Sequence, residues 1–393
     1  MILRFYYDIV CPYAYLASRQ IEALAQRTGA TLEWHPVLLG GLYRHHETAD
    51  VPAQRWTQNK VKLGILDLRR EANAQDAPFQ DNPRHPQRSV TAMRLLTAVS
   101  EDKRMSMTKA LYAAYWVDNL DINSPDVLGP IAAAHGTSIQ EANHPDIKLA
   151  LRVNTENAAE KGVFGVPTCE VNDRLWWGQD RLHMVEKALG GTPRIEPNID
   201  NKETGTTISF FHDFSSPFSY LASTQIERIA DERGAQVAWK PILLGALFKS
   251  IGTPNIPLFE MGKAKQAYMM QDLNDWAEWW GVDFSFPNTF PIRTVLALRV
   301  AIIEPATTHH MYRAVWVNGL DIGDPETLKT ILNTAGFNGE ALIEATQDPS
   351  IKSALRDNTT LAETLGACGV PTSVVADHLF WGQDRLHRVA EAL

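Results

Sequence analysis

Residues 209–230, SFFHDFSSPFSYLASTQIERIA, decide the fold because they combine a strand, a sharp turn and the start of a helix. The stretch 208–211 is β-branched and aromatic, which is typical of a buried strand, whereas the apolar residues from position 220 onward recur at helical spacing. The change falls at Ser216-Pro217, and proline is favoured in the first turn of a helix. The segment therefore predicts a strand, a turn and a helix with Ser216 at its N-terminus.

A side chain at this position lies among unpaired backbone N–H groups at the positive end of the helix dipole. Ser216 could therefore contact an anion, or it could be a simple N-cap. This segment alone favours the N-cap interpretation, so the function of Ser216 has to be argued from the rest of the chain.

The same segment occurs twice in the chain. Residues 4–25, RFYYDIVCPYAYLASRQIEALA, match 209–230 at eleven of twenty-two positions, and residues 176–189 match 380–393 at ten of fourteen. The numbering offset stays between 200 and 205, so only short gaps separate the copies. This is a tandem duplication of a unit of about 190 residues, a period that fits two whole domains rather than a solenoid. The predicted boundaries are 1–192 and 207–393, joined by a polar, Gly/Pro-rich linker at 193–206.

Composition sets the broad class of protein. The 393 residues are 45% hydrophobic and 21% charged, which is ordinary for a soluble globular chain. A net charge of -9 without a long basic run argues against nucleic acid as the main partner. The chain begins with a predicted strand, no apolar run approaches a membrane span, and three cysteines are not a disulfide framework. We therefore expect a cytoplasmic protein with no membrane partner.

Each copy follows the same order of elements. In the first copy a βαβ unit precedes a long helical stretch, and a ββα unit with a two-residue turn at Asn172 and Asp173 closes the copy. This order predicts an α/β fold of two tandem thioredoxin-like domains, each with a large all-helical insertion between its βαβ and ββα halves. The predicted strands and helices of the first copy are 2–8, 13–27, 30–39, 56–75, 87–100, 105–119, 124–135, 145–161, 165–171, 174–177 and 180–189.

These motifs resemble those of 2-hydroxychromene-2-carboxylate isomerases and kappa-class glutathione transferases, in the DsbA-like branch of the thioredoxin superfamily. The similar stretches are SPFSYLA, the helical segment at 263–287, GVPT and WGQDRL. They are spread across the repeat in the family's order, and the resemblance covers both halves nearly end to end. It implies an enzyme that uses glutathione.

The resemblance places a glutathione site in the second half. Ser216 matches the family's catalytic serine, which would donate its O–H to the glutathione sulfur while the helix N-terminus favours the thiolate. Val370 precedes Pro371, which would be a cis-proline that exposes the Val370 backbone to the cysteinyl unit. The other matched residues are Gln383 and Asp384 for the γ-glutamyl group, Asn255 and Lys265 for the glycyl end or main chain, and Arg293 and Tyr268 for an aromatic carboxylate substrate.

Each of these residues also has a structural interpretation. Asp384 and Asp180 suit the first turn of a helix, where an acid contributes about 0.3 to 1 kcal/mol. Lys265 suits a solvated helix face, and Val370-Pro371 could be an ordinary turn, since about 95% of X-Pro bonds are trans. The conjunction of the motifs favours the glutathione site.

The first half departs from the pattern at the turn itself. Cys11 replaces the serine, and Cys-Pro-Tyr-Ala resembles a Cys-x-x-Cys motif whose second cysteine is Ala14, so dithiol exchange is excluded. A helix N-terminus should lower the pKa of Cys11, which could then form a mixed disulfide or a sulfenic acid, or merely replace the serine. Cys169 and Cys368 are interpreted as core residues.

Other positions of the first half also differ. Asp50, Gln58 and Leu63 stand where the second half has Asn255, Lys263 and Tyr268. The first half is therefore expected to hold a modified or degenerate site. It keeps the counterparts Lys60, Arg88, Val166, Pro167, Gln179 and Asp180.

Two classes of function remain open. In the first, bound glutathione is a recycled nucleophile in an isomerase that acts on an aromatic or bicyclic substrate. In the second, Cys11 carries thiol–disulfide or glutathione-transfer chemistry, or the chain is a binding protein with one inactive half. No metal is expected, because the pairs His45-His46 and His309-His310 are typical of surface residues. The two halves are expected to pack as a pseudo-dimer, in a chain that is a monomer or a homodimer.

Overall fold

The structure of the chain is a computed structural model, and it describes residues 1–48, 56–193 and 205–393. Its contacts divide into two compact units. Unit 1 comprises Met1–Trp56, Gly64–Arg194 and Met261–Met269, and unit 2 comprises Thr57–Leu63, Ile195–Glu260 and Met270–Leu393. Each unit therefore contains most of one repeat together with a short segment of the other. Positions 194–204 of the predicted linker lie outside the described residues, and the domain boundaries at 192 and 207 stay predictions.

The first repeat has four strands and nine α-helices among its described residues. One π-helical turn at Ala113–Val117 continues α5, and a 3-10 turn at Gln179–Arg181 precedes the last helix. In chain order the elements are β1 (Ile2–Tyr7), α1 (Pro12–Thr28), β2 (Thr31–Pro36), α2 (Leu39–His45), α3 (Gln58–Ala74), α4 (Val90–Ala98), α5 (Glu101–Tyr112), α6 (Pro125–Ala134), α7 (Ile139–Ala142), α8 (Pro145–Glu160), β3 (Thr168–Val171), β4 (Arg174–Trp177) and α9 (Leu182–Ala188).

The second repeat reproduces this order. Three 3-10 turns, at Pro257–Glu260, Pro305–Thr307 and Gln383–Arg385, accompany its helices. The elements are β5 (Thr207–His212), α10 (Pro217–Asp231), β6 (Gln236–Pro241), α11 (Leu244–Ile251), α12 (Lys263–Trp280), α13 (Val295–Ile303), α14 (Thr308–Trp316), α15 (Pro325–Thr334), α16 (Gly339–Ala345), α17 (Pro349–Leu365), β7 (Thr372–Val375), β8 (His378–Trp381) and α18 (Leu386–Ala392).

Each unit is built on a four-stranded mixed sheet. The strand orders are β2-β1-β3-β4 and β6-β5-β7-β8. In each sheet the first two strands are parallel, as a βαβ crossover requires, and the last two form an antiparallel hairpin. The two inner strands of each sheet are largely buried: every residue of β3 and β7 is buried, and Phe5 of β1 and Phe210 of β5 are fully inaccessible to solvent. The predicted pair of thioredoxin-like domains with helical insertions is confirmed.

Some element boundaries differ from the predictions. The second strand was expected over 30–39 but ends at Pro36, and residues 39–45 form the short helix α2, which the sequence analysis missed together with α7. Both helices are short, at seven and four residues, so neither shows the apolar period of a longer amphipathic helix. The predicted helix at 105–119 begins earlier, at Glu101, with Ser100 before it.

The two units differ at the last residue of the central strand, which is Tyr7 in β1 and His212 in β5. Tyr7 Oη lies 2.8 Å from Thr108 Oγ1. His212 Nδ1 instead lies 2.9 Å from Tyr312 Oη, and His212 Nε2 and Thr308 Oγ1 have no partner within the described residues. Burial lowers the pKa of His212 to about 3. His212 is therefore a neutral imidazole in the core of unit 2.

We expect His212→Tyr to make unit 2 less sensitive to acid. The unfolded chain binds a proton at His212 below about pH 6.5 while the folded chain does not, so the free energy of unfolding falls as the pH drops from 6.5 toward 3. Between pH 7 and pH 5 this loss is about 2 kcal/mol. Tyrosine removes the titrating group and supplies Thr308 with the hydroxyl that Tyr7 supplies to Thr108.

Urea unfolding at pH 7 and pH 5 measures the change in the free energy of unfolding. The control is His310→Tyr, which makes the same substitution at an exposed histidine. The His212→Tyr protein should lose less free energy of unfolding than the wild type and the control. Equal losses in all three proteins would contradict the assignment of a buried neutral imidazole.

Candidate functional site

The turn that carries Ser216 is held by the buried carboxylate of Asp213. Asp213 Oδ1 accepts a hydrogen bond from Ser215 N, and Oδ2 accepts one from Leu244 N, both at 2.9 Å. The Thr294 hydroxyl also binds this carboxylate. Burial raises the pKa of Asp213, and these hydrogen bonds oppose the rise. One side chain thus joins the end of β5 to the first residue of α11 and to the N-terminus of α13.

Unit 1 repeats this arrangement around Asp8. Its carboxylate accepts hydrogen bonds from Val10 N at 3.2 Å, from Leu39 N at 2.9 Å and from Ser89 Oγ at 2.9 Å. The turn before each helix is therefore fixed by the same three kinds of contact in both units. The residue that follows the turn, Ser216 or Cys11, is consequently the main chemical difference at this position.

Ser216 is the N-cap of α10 and is almost fully buried. Its Oγ accepts a hydrogen bond from Ser219 N and donates one to the Val370 carbonyl, each at 3.1 Å. The Val370-Pro371 peptide bond is cis, as the family resemblance implied. The N-cap interpretation is thus correct. The hydroxyl also contacts the Val370 carbonyl, which the resemblance implies would bind glutathione.

Cys11 occupies the equivalent place in unit 1. Its Sγ lies 3.1 Å from the Val166 carbonyl, next to the cis bond to Pro167. Burial raises the pKa of Cys11 to about 12, although the backbone N–H groups of Ala14 and Tyr13 oppose this rise. The predicted lowering of the Cys11 pKa is wrong, because desolvation of the thiolate outweighs the helix N-terminus here. Cys11 is therefore a neutral S–H donor to a carbonyl.

The sequence assigns Lys265 and Tyr268 to the same half as Ser216. Both residues pack in unit 1, whereas Ser216 belongs to unit 2. Lys265 Nζ lies 5.0 Å from the centre of a Trp177 ring, and the Trp177 backbone N–H donates to Tyr268 Oη at 2.9 Å. The alignment of the two repeats shows which positions correspond, but it does not show on which unit a helical segment packs.

Lys60 comes from the first repeat but packs in unit 2, the reverse of Lys265. The sequence places it with Cys11, but it belongs to unit 2, where its Nζ lies 5.6 Å from the centre of a Trp381 ring. Burial lowers the pKa of Lys60, while the charge of a Cys368 thiolate would raise it. Of the two corresponding lysines, Lys60 is therefore the one that packs in the unit of Ser216, although it comes from the first repeat.

The side chains around the two cis-prolines differ in size between the units. In unit 1 the Phe164 ring lies 5.0 Å from that of Trp177 and 5.5 Å from that of Tyr268. At the positions of Phe164 and Tyr268, unit 2 has the smaller residues Cys368 and Leu63. Three aromatic rings therefore lie together in unit 1, whereas unit 2 has Trp381 and Phe248 near Gly369 and smaller side chains at the other two positions.

Gln179 of unit 1 is held by one side chain of α3 and by one that directly follows this helix. Its Nε2 donates to Glu71 Oε2, and its Oε1 accepts from Gln75 Nε2, both at 3.2 Å. The amide is therefore already used at both ends within its own unit.

Gln383 of unit 2 has a different environment. The positions of Glu71 and Gln75 are taken by Trp276 and Trp280, whose rings lie 4.7 Å apart. The buried Gln383 side chain makes no hydrogen bond to any residue that the structure describes. The two side chains that hold Gln179 therefore have no equivalent at Gln383.

The glycine of the WGQDR motif shapes this turn. Gly382 has φ of 108°, and a Cβ there would lie 2.5 Å from Asp384 Oδ1. Asp384 Oδ1 in turn lies 3.4 Å from Arg385 Nη1, and Asp180 forms the equivalent ion pair with its own neighbouring arginine at 3.1 Å. A side chain at position 382 would displace the carboxylate that the motif positions.

The remaining predicted residues lie at the surface or outside the described part of the chain. Asn255 is exposed, and its Oδ1 lies 3.0 Å from the place of a Cβ on Gly245. Arg88 and Arg293 are exposed and directly precede the two hydroxyl residues that bind the buried carboxylates. Asp50 lies outside the described residues.

The other predicted cysteines and all but one of the paired histidines fit their assignments. Cys169 and Cys368 are buried, and His45, His309 and His310 are exposed, whereas His46 is half-buried with its Nε2 3.1 Å from the Val163 carbonyl oxygen. The described residues contain no group of three or more His, Cys, Asp or Glu side chains that could hold a metal ion. No helix in the described ranges has both the length and the apolar character of a membrane span.

Comparison with known proteins gives the same repeat structure. The family model described as a DSBA-like thioredoxin domain matches the chain twice, at residues 2–190 and 207–393. The 2-hydroxychromene-2-carboxylate isomerase of Sphingobium xenophagum is 31% identical over 184 residues, which are 46% of this chain and 94% of that protein. Glutathione S-transferase kappa 1 of Caenorhabditis elegans is 27% identical over 206 residues, covering 47% and 90%.

A solved structure of a 2-hydroxychromene-2-carboxylate isomerase also matches. It is 26% identical, covers 48% of this chain and 95% of its own, and has a TM-score of 0.43. Each of these proteins is therefore similar to about half of the chain and is matched along nearly its whole length.

We expect the Cys11 thiol to react slowly with alkylating reagents, because its raised pKa keeps it protonated at neutral pH. In a Cys169→Ala, Cys368→Ala background, alkylation of Cys11 by iodoacetamide at pH 7.5 should be at least about a hundredfold slower than that of free cysteine. The rate should still rise with pH above 9. A rate that levels off below pH 8 would show a thiolate and would contradict the neutral S–H.

Proposed function

The chain belongs to the DSBA-like thioredoxin domain family, and we propose that it is a glutathione-dependent isomerase whose site is the turn at Ser216 in unit 2. The observation that carries the proposal is the position of the Ser216 hydroxyl, at the N-terminus of α10 and 3.1 Å from the Val370 carbonyl beside the cis bond. Both relatives compared above are named for chemistry on small molecules, and one is named for glutathione itself.

Glutathione would meet this turn with its cysteinyl unit. The Val370 carbonyl would accept the cysteinyl N–H, and the Ser216 hydroxyl would rotate from that carbonyl to the sulfur. Ser219 N–H can keep its hydrogen bond to Ser216 Oγ throughout. A donor at the positive end of a helix favours the thiolate over the thiol, since both the hydrogen bond and the dipole stabilise negative charge.

The two carboxylates of glutathione require separate partners. The unoccupied amide of Gln383 suits the γ-glutamyl carboxylate, and the Asp384 carboxylate suits the neighbouring ammonium group. Lys60, rather than the predicted Lys265, suits the glycyl end, because of these two corresponding lysines it is the one that packs in unit 2. Asn255 completes the set predicted for the glutathione main chain.

The substrate carboxylate is assigned to Arg293. This arginine is exposed, and its neighbour Thr294 binds the Asp213 carboxylate that also holds the Ser216 turn. Because the neighbouring Thr294 binds Asp213, the backbone of Arg293 lies near the Ser216 turn. Its exposed guanidinium suits the carboxylate of an aromatic acid, because guanidinium and carboxylate groups can pair through two hydrogen bonds. Arg88 is the equivalent residue of unit 1.

The reaction proposed for this site is addition followed by elimination. The glutathione thiolate adds to a carbon conjugated with a carbonyl, forming a C–S bond while an electron pair moves to the carbonyl oxygen. The former double bond can then rotate, or the ring can open. Return of the electron pair expels the thiolate, so glutathione is neither consumed nor oxidised.

Unit 1 is less suited to this reaction in three respects. Gln179 is already engaged by Glu71 and Gln75, aromatic rings fill the region beside its cis-proline, and Cys11 replaces the serine. The raised pKa of Cys11 also disfavours the alternative of thiol–disulfide exchange. We therefore assign the activity to unit 2.

Ser216→Ala should lower turnover about ten- to a hundredfold, since loss of a donor to a thiolate costs about 1.5 to 3 kcal/mol. The assay is glutathione-dependent isomerisation of 2-hydroxychromene-2-carboxylate, and thiolate absorbance in the ultraviolet measures the pKa of the bound thiol. That pKa should rise in Ser216→Ala while glutathione still binds.

Cys11→Ala is the matched control at the equivalent position and should leave both readouts unchanged. Loss of activity in Cys11→Ala with retention in Ser216→Ala would transfer the function to unit 1.

The assignment of Lys60 has its own test, because the chain offers Lys265 as a matched lysine. Lys60→Gln should weaken glutathione binding in calorimetry about tenfold, equal to about 1.4 kcal/mol, through loss of a charge-assisted contact. Lys265→Gln should bind glutathione as the wild type does. Weaker binding only in Lys265→Gln would mean that glutathione binds in unit 1.

A further inference from the structure

A second cleft opens in unit 1 between α2, α4 and α8. Its volume is about 620 Å³, and none of its lining residues belongs to the glutathione site proposed above. Leu38, Leu149 and Leu151 supply apolar surface, and Thr155 Oγ1 accepts a hydrogen bond from Leu38 N at 3.0 Å. This bond fixes the start of α2 against α8, so the two walls of the cleft are joined.

The charged residues of the cleft are almost all cations. Arg44, Arg94, Lys148 and Arg152 line it, and Glu156 is the single acid among the lining residues. Within the described part of the chain, Arg44, Arg94 and Lys148 form no ion pair, and the Arg152–Glu156 contact is long at 3.8 Å. Positive charge therefore remains uncompensated here, although the whole chain has a net charge of -9.

Arg94 is the residue that most strongly indicates an anion in the cleft. It is partly buried on α4, whose neighbouring residues Met93 and Leu95 are fully buried. A guanidinium does not lose its proton in proteins, so partial burial without a counter-charge is unfavourable unless a ligand supplies the charge. An anion in the cleft would supply it.

The same cations recur in the second repeat. Lys249, Arg299, Lys352 and Arg356 stand at the positions of Arg44, Arg94, Lys148 and Arg152, and Thr360 replaces the acid Glu156. The exchange of arginine for lysine at the first position keeps the charge while changing the shape of the side chain. Binding through charge tolerates such an exchange better than packing or bidentate hydrogen bonding does.

We propose that the cleft of unit 1 binds a small polyanion, of the class of organic phosphates or tricarboxylates. Four cations around a space of this size match a compact ligand with three or more negative charges. The leucine surface suits a short organic body. A net charge of -9 argues against a nucleic acid as the ligand.

Calorimetric titration of the full chain with tripolyphosphate and, separately, with citrate at constant ionic strength tests the proposal. We expect saturable binding of at least one of the two, and the tighter ligand distinguishes phosphate from carboxylate chemistry. The double variant Arg94→Gln, Arg152→Gln should weaken this binding at least about tenfold, since each guanidinium contributes charge-assisted hydrogen bonds. Lys109→Gln is the control on α5, outside the cleft, and should bind as the wild type does.

Glu156→Gln provides a second variant that removes the acid and should strengthen binding severalfold. This variant keeps the test decisive if the arginine variants fail to fold. Binding that does not saturate with either anion would overturn the proposal. Equal weakening in the arginine and Lys109 variants, or no gain in Glu156→Gln, would do the same, because the effect would then come from net charge alone.

Discussion

The buried carboxylate of Asp213 is the contact on which the site of unit 2 depends. Three segments that are far apart in sequence donate hydrogen bonds to its two oxygens. They are the turn at Ser215, the start of α11 at Leu244 and the start of α13 at Thr294. Burial raises the pKa of Asp213, and the donors that bind its carboxylate oppose this rise by stabilising the charged form. The same hydrogen bonds hold the turn that presents Ser216 to the cis-proline.

The two units keep this anchor and differ in what surrounds it. Unit 1 fills the space beside its cis-proline with Phe164 and Tyr268 and uses Gln179 for internal hydrogen bonds. Unit 2 has smaller residues at the positions of Phe164 and Tyr268, and tryptophans at the positions of Glu71 and Gln75. Unequal change at a few positions after duplication thus accounts for different surroundings of the two cis-prolines on the same scaffold.

Much of the fold was predictable, because it follows from local patterns. The strand, turn and helix at Ser216-Pro217, the Asn172 and Asp173 turn with two positive φ angles, and the tandem repeat are all confirmed. The positions of Lys60 and Lys265 could not be predicted, since packing decides which unit a helix segment joins. The Cys11 pKa was mispredicted for a related reason, because burial is a property of the whole fold.

The crystal structure of the chain grown with glutathione is the measurement that tests the central claim most directly. We expect one glutathione molecule in unit 2, with its sulfur within hydrogen-bonding distance of Ser216 Oγ and its cysteinyl N–H on the Val370 carbonyl. Unit 1 should contain none. Glutathione bound only beside Cys11, with Phe164 and Tyr268 displaced, would contradict the assignment of the site to unit 2.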